Sequence, residues 1–236
     1  MRKLADLHLR PASGDIRNAE EMALVAAETG FSLVGITFDL ETSKETRLRL
    51  MKAFEVQGLE TVSRIDLKPK NRKELLRSLR QVRGAFDLVA VECSNSNISS
   101  VAFRDRRIDL VFFPLASLES RLSWLMPRRS KRVVELSVSD LLVDNLPPAA
   151  SLNRALNLIE ESARRHMPVL ISSGARDVME MRTPRDMAAI LSTLQPENAK
   201  TIDSVTHIPL SLVHYTLERR RPGFVAEGVR VVKKGQ

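Results

Sequence analysis

With one cysteine, one tryptophan, one tyrosine and nine glycines in 236 residues, the chain lacks material for several kinds of chemistry. A lone Cys93 cannot close an internal disulfide, and at the end of the apolar run DLVAVEC it suits a small buried residue better than a reactive thiol. The sequence contains no Gly-x-Gly-x-x-Gly, no Walker loop and no Gly-x-Ser-x-Gly elbow. A glycine-rich phosphate cradle and a serine-hydrolase nucleophile are therefore both missing. Aromatics make up 4% of residues, too few for base stacking to be the main grip on a single strand. Apolar runs stop at about six to eight residues, where a bilayer needs roughly 18 to 20. The opening MRKLADLHLRPA also lacks the apolar stretch of a signal peptide, so a cytoplasmic chain with no membrane contact is expected.

What the chain has in excess is positive charge, and the excess is local. Its formal net charge is +8, and residues 61–134, with sixteen Lys and Arg against seven Asp and Glu, carry +9. The rest nearly cancels. A cationic field confined to one third of a folded chain suits a polyanion, since each phosphate neutralised releases condensed counterions. Nucleic acid held through phosphate and sugar is the first reading.

Strand-like runs recur at 3–9, 32–38, 61–67, 86–93, 108–113, 132–136 and 168–173, separated by amphipathic helical stretches. Helix starts are expected near Asn18, at Thr42, after Asn71, at Leu152 and at Thr183-Pro184, with Leu152, Leu156, Ile159 and Ala163 on the buried face of the fourth. Regular alternation of this kind gives parallel strands joined by helical crossovers. The expected fold is α/β: a TIM-like barrel, incomplete or distorted, with seven to eight parallel strands ringed by helices, in a single domain over residues 1–236. The tail FVAEGVRVVKKGQ is expected to supply a last short strand.

Two readings of the chemistry follow. Asp6 and His8 alternate on the first strand, which places both on one side as a metal pair requires. That opening resembles the Asp-Leu-His-x-His start of the polymerase-and-histidinol-phosphatase phosphoesterases, but Arg10 stands where the second histidine belongs. His166, His207 and His214 have no metal-ligand spacing. The second reading is phosphate contact by fixed cations. SRIDLKPKNR ends a strand and opens a helix, where free amides and the macrodipole also favour an anion. RDRR (104–107) precedes the fifth strand, and MPRRSKR (126–132) packs four cations into seven residues. The plainer alternative makes these solvated faces, with Arg64, Asp66 and Arg104 in structural ion pairs at the barrel mouth.

SRIDLKPKNRKELLRSLR, DLVAVECSN, VAFRDRRIDLVFF and ALNLIEESARRHMPVLISSGARDVMEMRTPRDMAAIL, in that order, resemble the thirty-kilodalton protein subunit of ribonuclease P in its shorter archaeal form. The similarity runs from ADLHLRP to VRVVKK. It implies a TIM-like fold without an active site of its own. The catalyst is then the ribonuclease P RNA, which with Mg²⁺ held by the RNA removes the 5′ leader of precursor tRNA. The protein binds no cofactor, supports the RNA's catalytic domain, pairs with a small ferredoxin-like subunit and meets precursor tRNA indirectly. Carried over residue by residue, the RNA-contact candidates are Arg64, Lys68, Arg104, Arg106, Arg107, Arg176, Arg182 and Arg185, with Arg104 and Arg182 also readable as loop supports or interface residues. A metal-dependent phosphoesterase using Asp6 and His8 is the rival.

Overall fold

The structure, a computed structural model, describes residues 3–82, 84–117, 122–128, 130–142, 147–194, 201–226 and 229–230. Arg129 of the basic run MPRRSKR, and the tail after Arg230, lie outside the described residues. Seven strands, β1 (Ala5–Leu9), β2 (Leu33–Phe38), β3 (Glu60–Leu67), β4 (Leu88–Glu92), β5 (Leu110–Phe112), β6 (Val133–Ser137) and β7 (Val169–Ser172), hydrogen-bond in chain order as one parallel sheet. Each falls within, or within one residue of, an apolar run expected from the sequence. The connections carry α1 (Ile16–Glu28), α2 (Lys44–Val56), α3 (Arg72–Val82), α4 (Ser96–Ala102), the short α5 (Leu122–Leu125) and α6 (Val138–Leu141), then α7 (Pro148–Arg164), α8 (Pro184–Leu194) and α9 (His207–Arg220).

Side-chain caps fix several helix starts. Asp15 accepts the Asn18 amide at 3.0 Å, which begins α1 before Asn18, and Ser43 rather than Thr42 caps α2. Asn71 accepts from Glu74 at 3.0 Å, and Thr183 accepts from Asp186 at 3.2 Å ahead of Pro184. The buried stripe of α7 is Ser151, Ala155, Leu158, Ile159 and Ser162, while Leu152 is exposed. Small residues let α7 lie close, which rotates its face one position from the one expected.

All seven strands contribute to one apolar cluster, Ala5, Leu7, Leu33, Val62, Leu88, Leu110, Val133 and Leu170 among them, and that cluster is the lower lumen. The opposite strand faces pack with the helices in a second, larger core. Among the described residues, α9 is the helix that reaches into the lumen cluster with a buried residue, Val213. Arg219 and Arg220 of α9 bind Asp109 at 2.7 Å and Asp87 at 2.8 Å, carboxylates that immediately precede β5 and β4. The last helix thus lies across the N-terminal end of the barrel. The C-terminal end is where barrels of this kind carry their sites.

β1 and β7 are not paired as strands. Isolated hydrogen bonds bridge the seam: Arg10 N–H to the Ala175 carbonyl at 2.8 Å, Ser173 N–H to both Asp6 carboxylate oxygens at 3.3 Å, and Ala5 N–H to the Val205 carbonyl at 2.9 Å. The tail supplies the expected short strand, but among the described residues it does not join the barrel sheet. β8 (Phe224–Ala226) and β9 (Val229–Arg230) pair with each other, antiparallel, because the chain leaves α9 below the barrel and away from the seam.

Candidate nucleic-acid interface

Above the apolar lumen the strands turn polar. Arg64 of β3 is fully buried, with Nε donating to Asp66 at 2.7 Å, Nη1 to Glu135 at 2.6 Å and to the Leu7 carbonyl at 3.0 Å, and Nη2 to the second Glu135 oxygen. His8 brings Nε2 to 3.0 Å from Asp66 and Nδ1 to 3.4 Å from Glu135. Ser172 donates to Glu135 at 2.6 Å. Burial penalises every charge here, and the partners decide the balance. For Asp66 burial is outweighed by the Arg64 and His8 cations, which hold its carboxyl well below the usual range. Glu135 is likewise brought down to about 2. For His8, burial and the Arg64 charge push down, but Asp66 and Glu135 together leave its pKa raised. With His8 protonated, two cations meet two carboxylates and the cluster is neutral.

Nothing in this geometry favours the rival metal reading. The register of β1 shifts between Asp6 and Leu9, so the alternation that was to align Asp6 with His8 is broken there. The Asp6 carboxylate is engaged by the amides of His8 and Ser173, whereas the His8 ring turns to Asp66 and Glu135. Between those two carboxylates sits the Arg64 guanidinium, a cation where a metal would stand. Gly35 of β2 permits the bulge, since a Cβ there would lie 2.5 Å from the Leu7 carbonyl oxygen.

The eight candidate cations separate into three groups. Arg64 is no surface residue at all: 0% exposed, with its guanidinium making four hydrogen bonds inside the barrel, it presents nothing to a phosphate. Lys68 follows β3 and Arg176, Arg182 and Arg185 follow β7, so these four stand at the C-terminal rim. Arg104, Arg106 and Arg107 precede β5 and stand at the opposite end, so the set does not share one rim. The sequence run 61–134 crosses the barrel from end to end, which is why its charge seemed a single patch.

Their side chains differ in freedom. Lys68 is exposed and loosely paired with Glu92 at 3.7 Å. Arg182 donates to the carbonyls of Met179 and Met181 at 2.9 and 2.7 Å and braces its own loop. Arg107 is bound to Asp105 at 2.6 and 2.9 Å. Arg104, Arg106, Arg176 and Arg185 are exposed and have no side-chain partner among the described residues. Sequence reasoning missed Glu135, whose signal was a lone acid inside the apolar run RVVEL, and the capping role of α9.

The family model for RNase P subunit p30 matches residues 3–221. The chain belongs to the RNase P subunit p30 family. Ribonuclease P protein component 3 of Methanothermobacter thermautotrophicus is 25% identical over 202 residues, 82% of this chain and 78% of that protein. Its counterpart in Methanococcoides burtonii is 20% identical over 234 residues, covering 98% and 94%. A chain in the cryo-EM structure of archaeal ribonuclease P with mature tRNA shares the fold, with a TM-score of 0.78 and 22% identity over 97% of this chain and 99% of that one. Among the described residues no group of three or more His, Cys, Asp or Glu is placed to hold a metal ion, and no helix is long and apolar enough to cross a membrane.

Proposed function

We propose that this member of the p30 family is a non-catalytic, RNA-binding protein subunit of ribonuclease P in the cytoplasm. It supports removal of the 5′ leader from precursor tRNA by the ribonuclease P RNA, which holds the Mg²⁺. The observation that carries the reading is the family match over residues 3–221. The relative solved in a ribonuclease P particle with tRNA supports RNA and protein partners. In finer terms these are the RNA's catalytic domain and a small ferredoxin-like subunit, with precursor tRNA met indirectly.

Lys68, Arg176 and Arg185 at the C-terminal rim meet RNA phosphates, with Arg182 holding the loop between them. Cations fixed by a rigid barrel neutralise crowded phosphates and so lower the Mg²⁺ needed to hold the RNA in its active form. Arg104 and Arg106, at the far end, form a separate patch. The test is cleavage of precursor tRNA by ribonuclease P RNA at limiting Mg²⁺, with and without this chain in the presence of its partner subunit. Cleavage should recover when the chain is added; an unchanged Mg²⁺ requirement would exclude the role.

A further inference from the structure

A cleft of about 530 Å³ opens at the C-terminal mouth beside the β1–β7 seam, and Arg10, Thr37, Asp39, Asp66, Lys68 and Arg176 are among the residues lining it. We infer that this cleft binds one phosphate group, held by Arg10, Lys68, Arg176 and the Thr37 hydroxyl. The inference deepens the RNA-binding reading above and rests on it for the biological source of the phosphate, but Arg10 and Thr37 belong to no assignment made so far.

Four observations converge on this cleft. Thr37 is only 9% exposed, and its Oγ1 has no hydrogen-bond partner, a state that costs stability unless something else in the site engages the hydroxyl. The guanidinium groups of Arg10 and Arg176 make no hydrogen bond and no close ion pair among the described residues, although Arg10 feels the charge of Asp140. The bond from Arg10 N–H to the Ala175 carbonyl ties their backbones together across the seam. Of the two carboxylates in the lining, Asp66 is occupied, with one oxygen on Arg64 Nε at 2.7 Å and the other 3.0 Å from His8 Nε2. Asp39 is exposed, and beyond the lining Glu92 lies 3.7 Å from the Lys68 ammonium while Asp140 sits in the field of Arg10 and Lys68, so of the three cations Lys68 alone has a carboxylate within 4 Å among the described residues. Planar guanidinium donors, an ammonium and a buried O–H make a donor set for a tetrahedral oxyanion. The cleft volume is of the order that takes a nucleotide-sized group.

The phosphate has two possible sources, a group on RNA or a free phosphate or mononucleotide, and one set of measurements separates them. The intact protein, freed of RNA, is titrated with inorganic phosphate and with 5′-AMP by calorimetry at fixed ionic strength, alongside Thr37→Val and Arg10→Gln. Urea unfolding of each variant is followed in parallel. Saturable binding is expected, weakened about tenfold by either substitution, as loss of one hydrogen bond to a charged group implies. Thr37→Val should unfold at the same or higher urea concentration, because it removes an unpaired hydroxyl and keeps the shape. Absence of saturable phosphate binding, or affinity unchanged in both variants, would overturn the assignment.

Weaker binding of ribonuclease P RNA by Thr37→Val identifies an RNA phosphate as the occupant. RNA affinity that is unchanged while phosphate affinity falls identifies the free species. A chain that binds phosphate but no RNA would sink the subunit reading and leave the cleft standing, and the reverse result would sink the cleft alone.

Discussion

Arg64 reaches across the barrel from β3 and sets two guanidinium nitrogens against the two carboxylate oxygens of Glu135 on β6, with side-chain exposures of 0% and 1%. A buried pair of this kind adds little net stability when intact, because desolvation offsets attraction, but removing one partner strands the other charge. Arg64→Met should therefore cost about 3–5 kcal/mol, leaving Glu135 and Asp66 with only His8 as counter-charge. Urea denaturation measures it, and a loss under about 1 kcal/mol would contradict the buried geometry.

The same cluster makes stability pH-dependent on the alkaline side. His8 has a folded pKa raised above its usual 6.5. Its contribution is fully present below 6.5 and is lost as pH rises through the higher folded value. Wild type should lose stability above pH 6.5 with a slope of at most about 1.4 kcal/mol per pH unit. His8→Gln should lack that segment of the curve. Superimposable profiles from pH 6 to pH 9 would mean that His8 is neutral in the fold.

How much of this was legible in the sequence depends on the range of the cause. The seven strands and the starts of α1, α2, α3 and α8 were readable to within two residues, since an apolar run and a cap are written within a few residues of each other, whereas α7 begins at Pro148, four residues before its expected start. Arg64 was legible only in part: the alternative that pairs it with Asp66 holds, but Glu135, the partner that draws it fully inward, lies 71 positions away. Asp6 and His8 failed for a related reason. Strict alternation holds only in a regular strand, and the bulge in β1 depends on Gly35 in the neighbouring strand. The division of the cations between two rims follows from chain direction in a parallel barrel. Charge density along the sequence carries no such information.

Gly174 places the loop that bears Arg176 and Arg182. Its φ of +68° lies in the left-handed region, and a Cβ would overlap the Ser137 and Ser139 hydroxyl oxygens. Gly174→Ala should cost about 1–3 kcal/mol and shift the loop without deleting a cation. RNA affinity should fall with it, by filter binding on protein shown to be folded. Full affinity in that variant would separate the loop from the interface.

The cap formed by α9 predicts an asymmetry between two substitutions at one ion pair. Asp109 is buried, accepts Val89 N–H at 3.0 Å and meets Arg219, which is partly open to solvent. Arg219→Met removes the cation that contacts a buried carboxylate, leaving the more weakly acting charge of Arg132, and should cost about 3 kcal/mol. Asp109→Asn keeps a hydrogen-bond acceptor and frees an arginine that water can solvate, so it should cost clearly less. Equal losses in chemical denaturation would show that the pair is not what anchors α9.

The two rims give the sharpest test of where RNA lies. Each phosphate contact contributes about 0.7 to 0.9 to the slope of log affinity against log salt. Arg176→Ala with Arg185→Ala removes two unpartnered cations from the C-terminal rim, so the slope should fall by about 1.4 to 1.8 with base preference unchanged. Arg104→Ala with Arg106→Ala removes the same charge from the other end and should leave the slope near its wild-type value, because α9 and its ion pairs separate that end from the barrel mouth. Net charge falls equally in both variants. A purely non-specific cationic field would therefore lower the two slopes alike, whereas a built interface at the strand exits lowers only the first.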